Sequence, residues 1–213
     1  MQASTAILAS SLLLALTSCA SAETTDPTVA TPTSPAAISE VPEPEPLPLT
    51  AHAVSRLAGW TPDGPPQQGS LKSFARSHRE KVSELTEKGV IAGVTVMFQP
   101  EGKAKANAMS TVEVFASDEE AQAEAARLFT VNSEPEPNSN ASPLKVPGIP
   151  NAQAVQITGA FRGQPFTKVE IVYVQGAVLH ELFAIGVDPV VVVPAFTDAA
   201  LEAYERTAGH PLR

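Results

Sequence analysis

The run Ala152 to Val187, AQAVQITGAFRGQPFTKVEIVYVQGAVLHELFAIGV, decides the fold. It divides into three strand-like segments, Ala152 to Phe161, Phe166 to Gln175 and Ala177 to Val187, each rich in β-branched and aromatic residues. Arg162-Gly163 and Gln175-Gly176 stand between them and read as tight hairpin turns. Connections this short join antiparallel neighbours, so the expectation is a three-stranded meander. Period-two alternation puts Val169, Ile171 and Tyr173 on one face of the middle strand, and Lys168, Glu170, Val172 and Val174 on the other.

Two more strands precede the meander. Val90 to Phe98 is apolar and β-branched, with Gly93 marking a bulge or a close approach, and Pro100-Glu101-Gly102 turns the chain. Met109 to Ala116 alternates and should pair antiparallel with it. Ser117-Asp118-Glu119-Glu120 has capping-box spacing and opens a helix running through Phe129. Upstream, Leu71, Phe74, Ala75, His78, Val82 and Leu85 recur at three- and four-residue spacing, which predicts one helix over Ser70 to Lys88, stopped by Gly89. Val54, Leu57 and Trp60 suit a helical turn that docks the single Trp as a core plug. Pro194 or Thr197 starts a last helix that ends at Gly209, with Leu201 and Tyr204 facing inward. The fold class is therefore α+β, an antiparallel sheet of about five strands with helices packed on it. The stretch Val131 to Asn151 holds five prolines and reads as a long loop, a place for recognition or for a tolerated insertion.

The N-terminal quarter differs in kind. Ala6 to Leu16 is apolar but too short to span a bilayer, as a secretory signal is. It runs into Leu16-Thr17-Ser18-Cys19, which contains the single cysteine of the chain. From Ala20 to Thr50 seven prolines are interspersed with Thr, Ser, Ala and Glu, and Pro42-Glu43-Pro44-Glu45-Pro46-Leu47-Pro48 favours polyproline II. The expected organisation is a signal peptide over residues 1–18, a lipidated Cys19 with a disordered tether over 19–50, and a single α+β domain over 51–213.

Leu16-Thr17-Ser18-Cys19 resembles the lipobox of bacterial lipoproteins. The resemblance implies that signal peptidase recognises Leu16, Thr17 and Ser18, and that Cys19 becomes the diacylglycerol-bearing N-terminus. Two features point elsewhere: Met1 to Thr5 lacks Lys and Arg, and Ala20-Ser21-Ala22 offers an A-x-A site for ordinary secretion. The head also resembles actinobacterial envelope lipoproteins. The similarity rests on the Gly89 to Phe98 strand, the Val112 to Ala121 strand-to-helix step, the Val146-Pro147-Gly148-Ile149-Pro150 loop and the terminal helix. These are similar to LpqN-type lipoproteins, which implies a PsbP-like α/β sandwich and a binding or assembly role on the outer face of the cell membrane.

Composition and motifs narrow the function by exclusion. With 23 acidic against 14 basic residues the net charge is −9, which disfavours nucleic acid as a partner. One cysteine permits no internal disulfide. His180-Glu181-Leu182-Phe183-Ala184 begins like H-E-x-x-H, but Ala184 replaces the second His, and on a strand His180 and Glu181 point to opposite faces. His52, His78, His180 and His210 show no ligand spacing, and Glu119-Glu120 belongs to a cap and a solvated face. No catalytic residue, metal ligand or cofactor is expected. The expected partners are the membrane, through Cys19, and either an envelope protein or a small apolar or lipid ligand, held between sheet and helix or under the Val131 to Asn151 loop. A purely structural assembly factor is the alternative, and a hydrolase built on His78 or His180 is the third reading.

Overall fold

The computed structural model describes residues 47–78, 80–102, 104–187, 190–210 and 212, with the main chain alone at 69, 77, 78 and 161. Leu16, Thr17, Ser18, Cys19 and the Pro42 to Pro46 rod lie outside the described residues.

Among the described residues eight strands form one antiparallel sheet. They are β1 (Trp60–Pro62), β2 (Gln67–Gly69), β3 (Val90–Pro100), β4 (Ala106–Phe115), β5 (Ser139–Pro143), β6 (Gln153–Phe161), β7 (Gln164–Gln175) and β8 (Val178–Val187). The order across the sheet is β1-β3-β4-β8-β7-β6-β5, with β2 also paired to β3. The meander is present as expected, and β8 joins it to the β3–β4 hairpin along nine residue pairs from Ala106↔Gly186 to Val114↔Val178. Arg162 and Gly163 both take positive φ, +51° and +77°, the type I′ turn whose twist matches the flanking strands.

Helices cover both faces. On one, α4 (Val193–Thr207) inserts Phe196, Ala200 and Ala203 against Val94, Val112, Ile171 and Leu182. The same core takes Leu49, Val54, Leu57 and Trp60 from the chain entering the domain, with Trp60 edge-on to Phe196 at 5.8 Å. On the other face α1 (Leu71–His78), α2 (Val82–Glu87) and α3 (Asp118–Asn132) bury Phe74, Leu85, Ala121 and Ala125 against Val90, Phe115, Val172 and Leu179. The α+β class therefore holds, with eight strands where about five were expected.

The differences have physical reasons. The single helix expected over Ser70 to Lys88 is two helices, because Lys81 is extended at φ −88° and ψ 145°. The break lets Phe74 and Leu85, 1% and 0% exposed, enter the same core while Val82 turns out to water. Two such side chains stabilise by about 1.5–3 kcal/mol each, more than the ~1 kcal/mol of a helical hydrogen bond given up at the break. Val54, Leu57 and Trp60 are all buried, yet they form no helical turn; a bend closed by Trp60 N donating to Leu57 O leads into β1. The second hairpin turn is Gly176-Ala177, one residue later than expected, since Gln175 pairs with Val178. The Val131 to Asn151 stretch is not structureless. It carries β5 on the sheet edge, where Pro143 needs no donor, and its Val146 and Ile149 are buried in the core.

Gly93 is the close approach expected of it: a Cβ there would lie 2.5 Å from the Phe74 ring. Gly89, at φ +82°, stops α2, and the Glu120 carboxyl lies over it.

Candidate functional site

The cross-strand row Ile157–Lys168–Ile185–Asn107 runs over β6, β7, β8 and β4 on the face that α3 covers. Helix α3 stops at Asn132, and the segment Ser133 to Glu136 leaves the sheet before β5 returns to it. The space between is an open groove of about 940 Å³. Ile157, Phe166, Lys168, Ile185 and Val187 contribute from the sheet, Val131, Glu134, Pro135 and Glu136 form the wall, and Lys105 stands at one end. Two large apolar side chains here stay wet, Val131 at 57% and Ile185 at 37% exposure.

What holds the wall is a polar clamp beneath it. The Asn132 side-chain amide donates to Glu170 Oε1 at 3.0 Å and to Glu181 Oε1 at 3.4 Å, while Lys168 Nζ donates to the Asn132 carbonyl at 2.6 Å. Glu170 and Glu181 are both buried. Burial raises the pKa of each; the hydrogen bond to Glu181, Asn132 and the charge of Lys168 partly offset the rise at Glu170, and repulsion from Glu170 adds to it at Glu181. Glu170 Oε2 is buried without a hydrogen-bond partner, and burial favours the neutral form of both carboxyls. Glu113, half-buried on the same face, is pushed up to about 8 by desolvation and then by Glu181, Glu124 and Glu80. Glu124 goes the other way: burial acts to raise it, but two Arg127 hydrogen bonds of 2.6 Å and the nearby Lys88 hold it below its usual range.

The opposite face gathers three of the four histidines. His180 stacks on Tyr173 at 4.5 Å with planes 9° apart, and His52 lies 6.0 Å from His180. Desolvation and the nearby His52 pull His180 down to about 3, although the His52 main chain works against the shift. His52 is lowered by burial, Arg206 and His210. His52 and His210 both line a second cavity of about 870 Å³ beside Tyr204 and Thr207. Arg206 is fixed by donating to the carbonyls of Ala51 and Ala53.

His180 and Glu181 do sit on opposite faces of β8, His180 against Tyr173 and Glu181 beside Asn132. Among the groups acting on the His180 charge there is no carboxylate. Ser117 Oγ accepts from Glu120 N at 3.2 Å as the cap requires, but the Glu120 carboxyl is tucked over Gly89, whereas Glu119 is solvated. The side chain of His78 and the whole of Cys19 lie outside the described residues.

Among solved structures, the extracellular domain of PknH from Mycobacterium tuberculosis is similar to this chain. The identity is 12%, the match covers 71% of this chain and 86% of that one, and the TM-score is 0.48. No family model matches the chain, and no curated protein matches it.

Reading by spacing alone missed the histidine cluster, because its members come from the domain entry, β8 and the C-terminus. The groove had a signal in the alternation of β7: Lys168 and Glu170 share a face with Val172 and Val174. Charged residues on an otherwise buried strand face need partners or a cavity.

Proposed function

We propose that the chain is a lipid-anchored envelope protein whose head binds, without converting it, a single-chain amphiphile with an anionic headgroup in the groove beside α3. The observation that carries this reading is the groove itself, about 940 Å³, with an apolar sheet floor and Lys168 set into it. Volumes of about 300–1,000 Å³ accommodate small-molecule ligands. Lys168 is half-buried, while Glu134 and Glu136 on the wall are exposed. A charge at the low-dielectric floor outweighs charges screened by water. The raised pKa values of the adjoining carboxyls leave its positive charge only partly offset. An acyl chain along Ile157, Phe166 and Ile185 with its head towards Lys168 and Lys105 satisfies both features.

The structural-assembly reading would be favoured by a broad apolar patch. Of the exposed large apolar residues Val82, Ile91, Val131, Ile185 and Val192, only Val131 and Ile185 share a groove. Against the hydrolase reading at His180, the groups acting on its charge include no carboxylate, and the side chain of His78 lies outside the described residues.

Calorimetric titration of dodecyl phosphate into the chain from Pro42 onward tests the groove. Binding at micromolar affinity is expected, weakened roughly tenfold or more by Ile185→Asp and by exchange of the headgroup for trimethylammonium, a loss of about 1.4 kcal/mol or more. Equal affinity for both headgroups, or none for either, would refute the reading. The anchor is tested by Cys19→Ala in cells fed labelled fatty acid, where loss of label and of membrane association is expected. Unchanged labelling would place the lipid elsewhere.

A further inference from the structure

Three carboxyls lie in a diagonal row on the α3 face of the sheet. Glu181 on β8 pairs with Val172 on one side and Thr111 on the other, so Glu170 of β7 and Glu113 of β4 are its diagonal neighbours. The row ends at Lys168, two residues before Glu170 on β7 and part of the groove lining. The Asn132 amide serves Glu170 and Glu181 together, at 3.0 and 3.4 Å, while its carbonyl takes the Lys168 ammonium at 2.6 Å. The cations of α3 and the α2 end are engaged elsewhere: Arg127 and Lys88 reach Glu124 at 2.6 and 3.4 Å, and Lys88 reaches Glu80 at 3.4 Å. Glu170 and Glu181 are 0% and 8% exposed. Acids this dry and this close are not all ionised together, so the row holds protons that a change in nearby charge draws in or drives out.

We propose that this row makes the groove proton-linked: an anionic headgroup beside Lys168 is taken up together with a proton on Glu170, Glu181 or Glu113, and is released as these carboxyls ionise. The linkage rests on the groove being the amphiphile site. Lys168 is the positive charge that acts on both Glu170 and Glu181. An anion set against it offsets that charge and repels the ionised carboxyls, so the bound state favours their protonated form. By reciprocity a protonated row binds the anion more tightly, and affinity falls as pH rises. Burial first, then repulsion among Glu113, Glu181 and Glu124, moves the row above the ordinary carboxylate range, to about 8 for Glu113, which puts the linkage at neutral to alkaline pH. The other charges facing the groove, Glu134, Glu136 and Lys105, are exposed and screened by water.

The full chain carrying Cys19→Ser, so that no lipid of its own competes for the groove, is titrated calorimetrically with decane sulfonate, whose charge is constant with pH. Binding heats in two buffers of different ionisation enthalpy count the protons taken up, and affinity is compared at pH 6 and pH 9. Net proton uptake is expected, with affinity about tenfold weaker at the higher pH. Glu181→Gln should lower the uptake by about half or more. Binding with equal affinity at both pH values and no buffer-dependent heat would overturn the linkage and leave the groove reading standing. No binding at pH 6 would overturn both. Uptake undiminished in a folded Glu181→Gln would put the proton outside the row and overturn the linkage alone. Because uptake is first read on the native carboxyls, a variant that fails to fold leaves the test intact.

Discussion

At the scale of single residues, burial holds three carboxyls and two imidazoles towards neutrality, and these work against each other with pH. Glu113, Glu170 and Glu181 have folded pKa values above the ordinary 4.5. Their contribution is complete below that value and is lost as pH rises towards the folded values, about 8 for Glu113. His52 and His180 have folded values below 6.5, so their contribution is present above 6.5 and is lost as pH falls. Between about pH 4.5 and 6.5 the carboxyl loss and the imidazole loss run in opposite directions, so the stability maximum should lie within that window, with a fall below it as the imidazole contribution alone is lost and above it as the carboxyl contribution alone is lost. Glu181→Gln keeps the shape and mimics the protonated form. It should be nearly neutral at pH 5 and relatively stabilising at pH 8, removing up to ~1.4 kcal/mol per pH unit from the alkaline slope. Urea unfolding at the two pH values checks this, and an alkaline slope equal to that of the parent would show that Glu181 is ionised in the fold.

At the scale of elements, the groove wall depends on where α3 ends. Asn132 is tied to β7 and β8 through Glu170 and Glu181, and Lys168 holds its carbonyl. Asn132→Ala removes the amide and leaves both carboxyls without its donors, a cost of about 1–3 kcal/mol. Hydrogen exchange should speed up over Val131 to Glu136 while the β7–β8 core keeps its protection; uniform acceleration would mean that the clamp supports the whole sheet and not the wall.

The long strands were legible because each buries alternate residues on two covered faces, so Val169, Ile171 and Tyr173 announce a strand whatever surrounds them. Helix α3 was legible from its cap at Ser117. The short strand β5 was not, since Ser139-Asn140-Ala141-Ser142-Pro143 has no apolar periodicity and is held by pairing with β6 alone. The α1–α2 break was hidden too, for no Gly or Pro marks it; the position of Leu85 in a shared core decides it. For the same reason the groove could be placed only broadly, under the Val131 to Asn151 loop, until the register of Ile157, Lys168 and Ile185 was known.

At the scale of the molecule, the sheet separates two kinds of chemistry. The α3 face carries the buried carboxyls and the groove, and the α4 face carries the stacked histidines and the second cavity. Among the described residues no helix is long and apolar enough to cross a bilayer. The amphiphile site we propose is the α3 groove and not the histidine cavity. Backbone amide shifts of the ¹⁵N-labelled chain from Pro42 onward, titrated with dodecyl phosphate, test it most directly. The account predicts saturable shifts grouped at Lys105–Asn107, Val131–Glu136, Phe166–Lys168 and Ile185–Val187. Shifts centred on His52, Tyr204 and His210, or spread evenly without saturation, would contradict it.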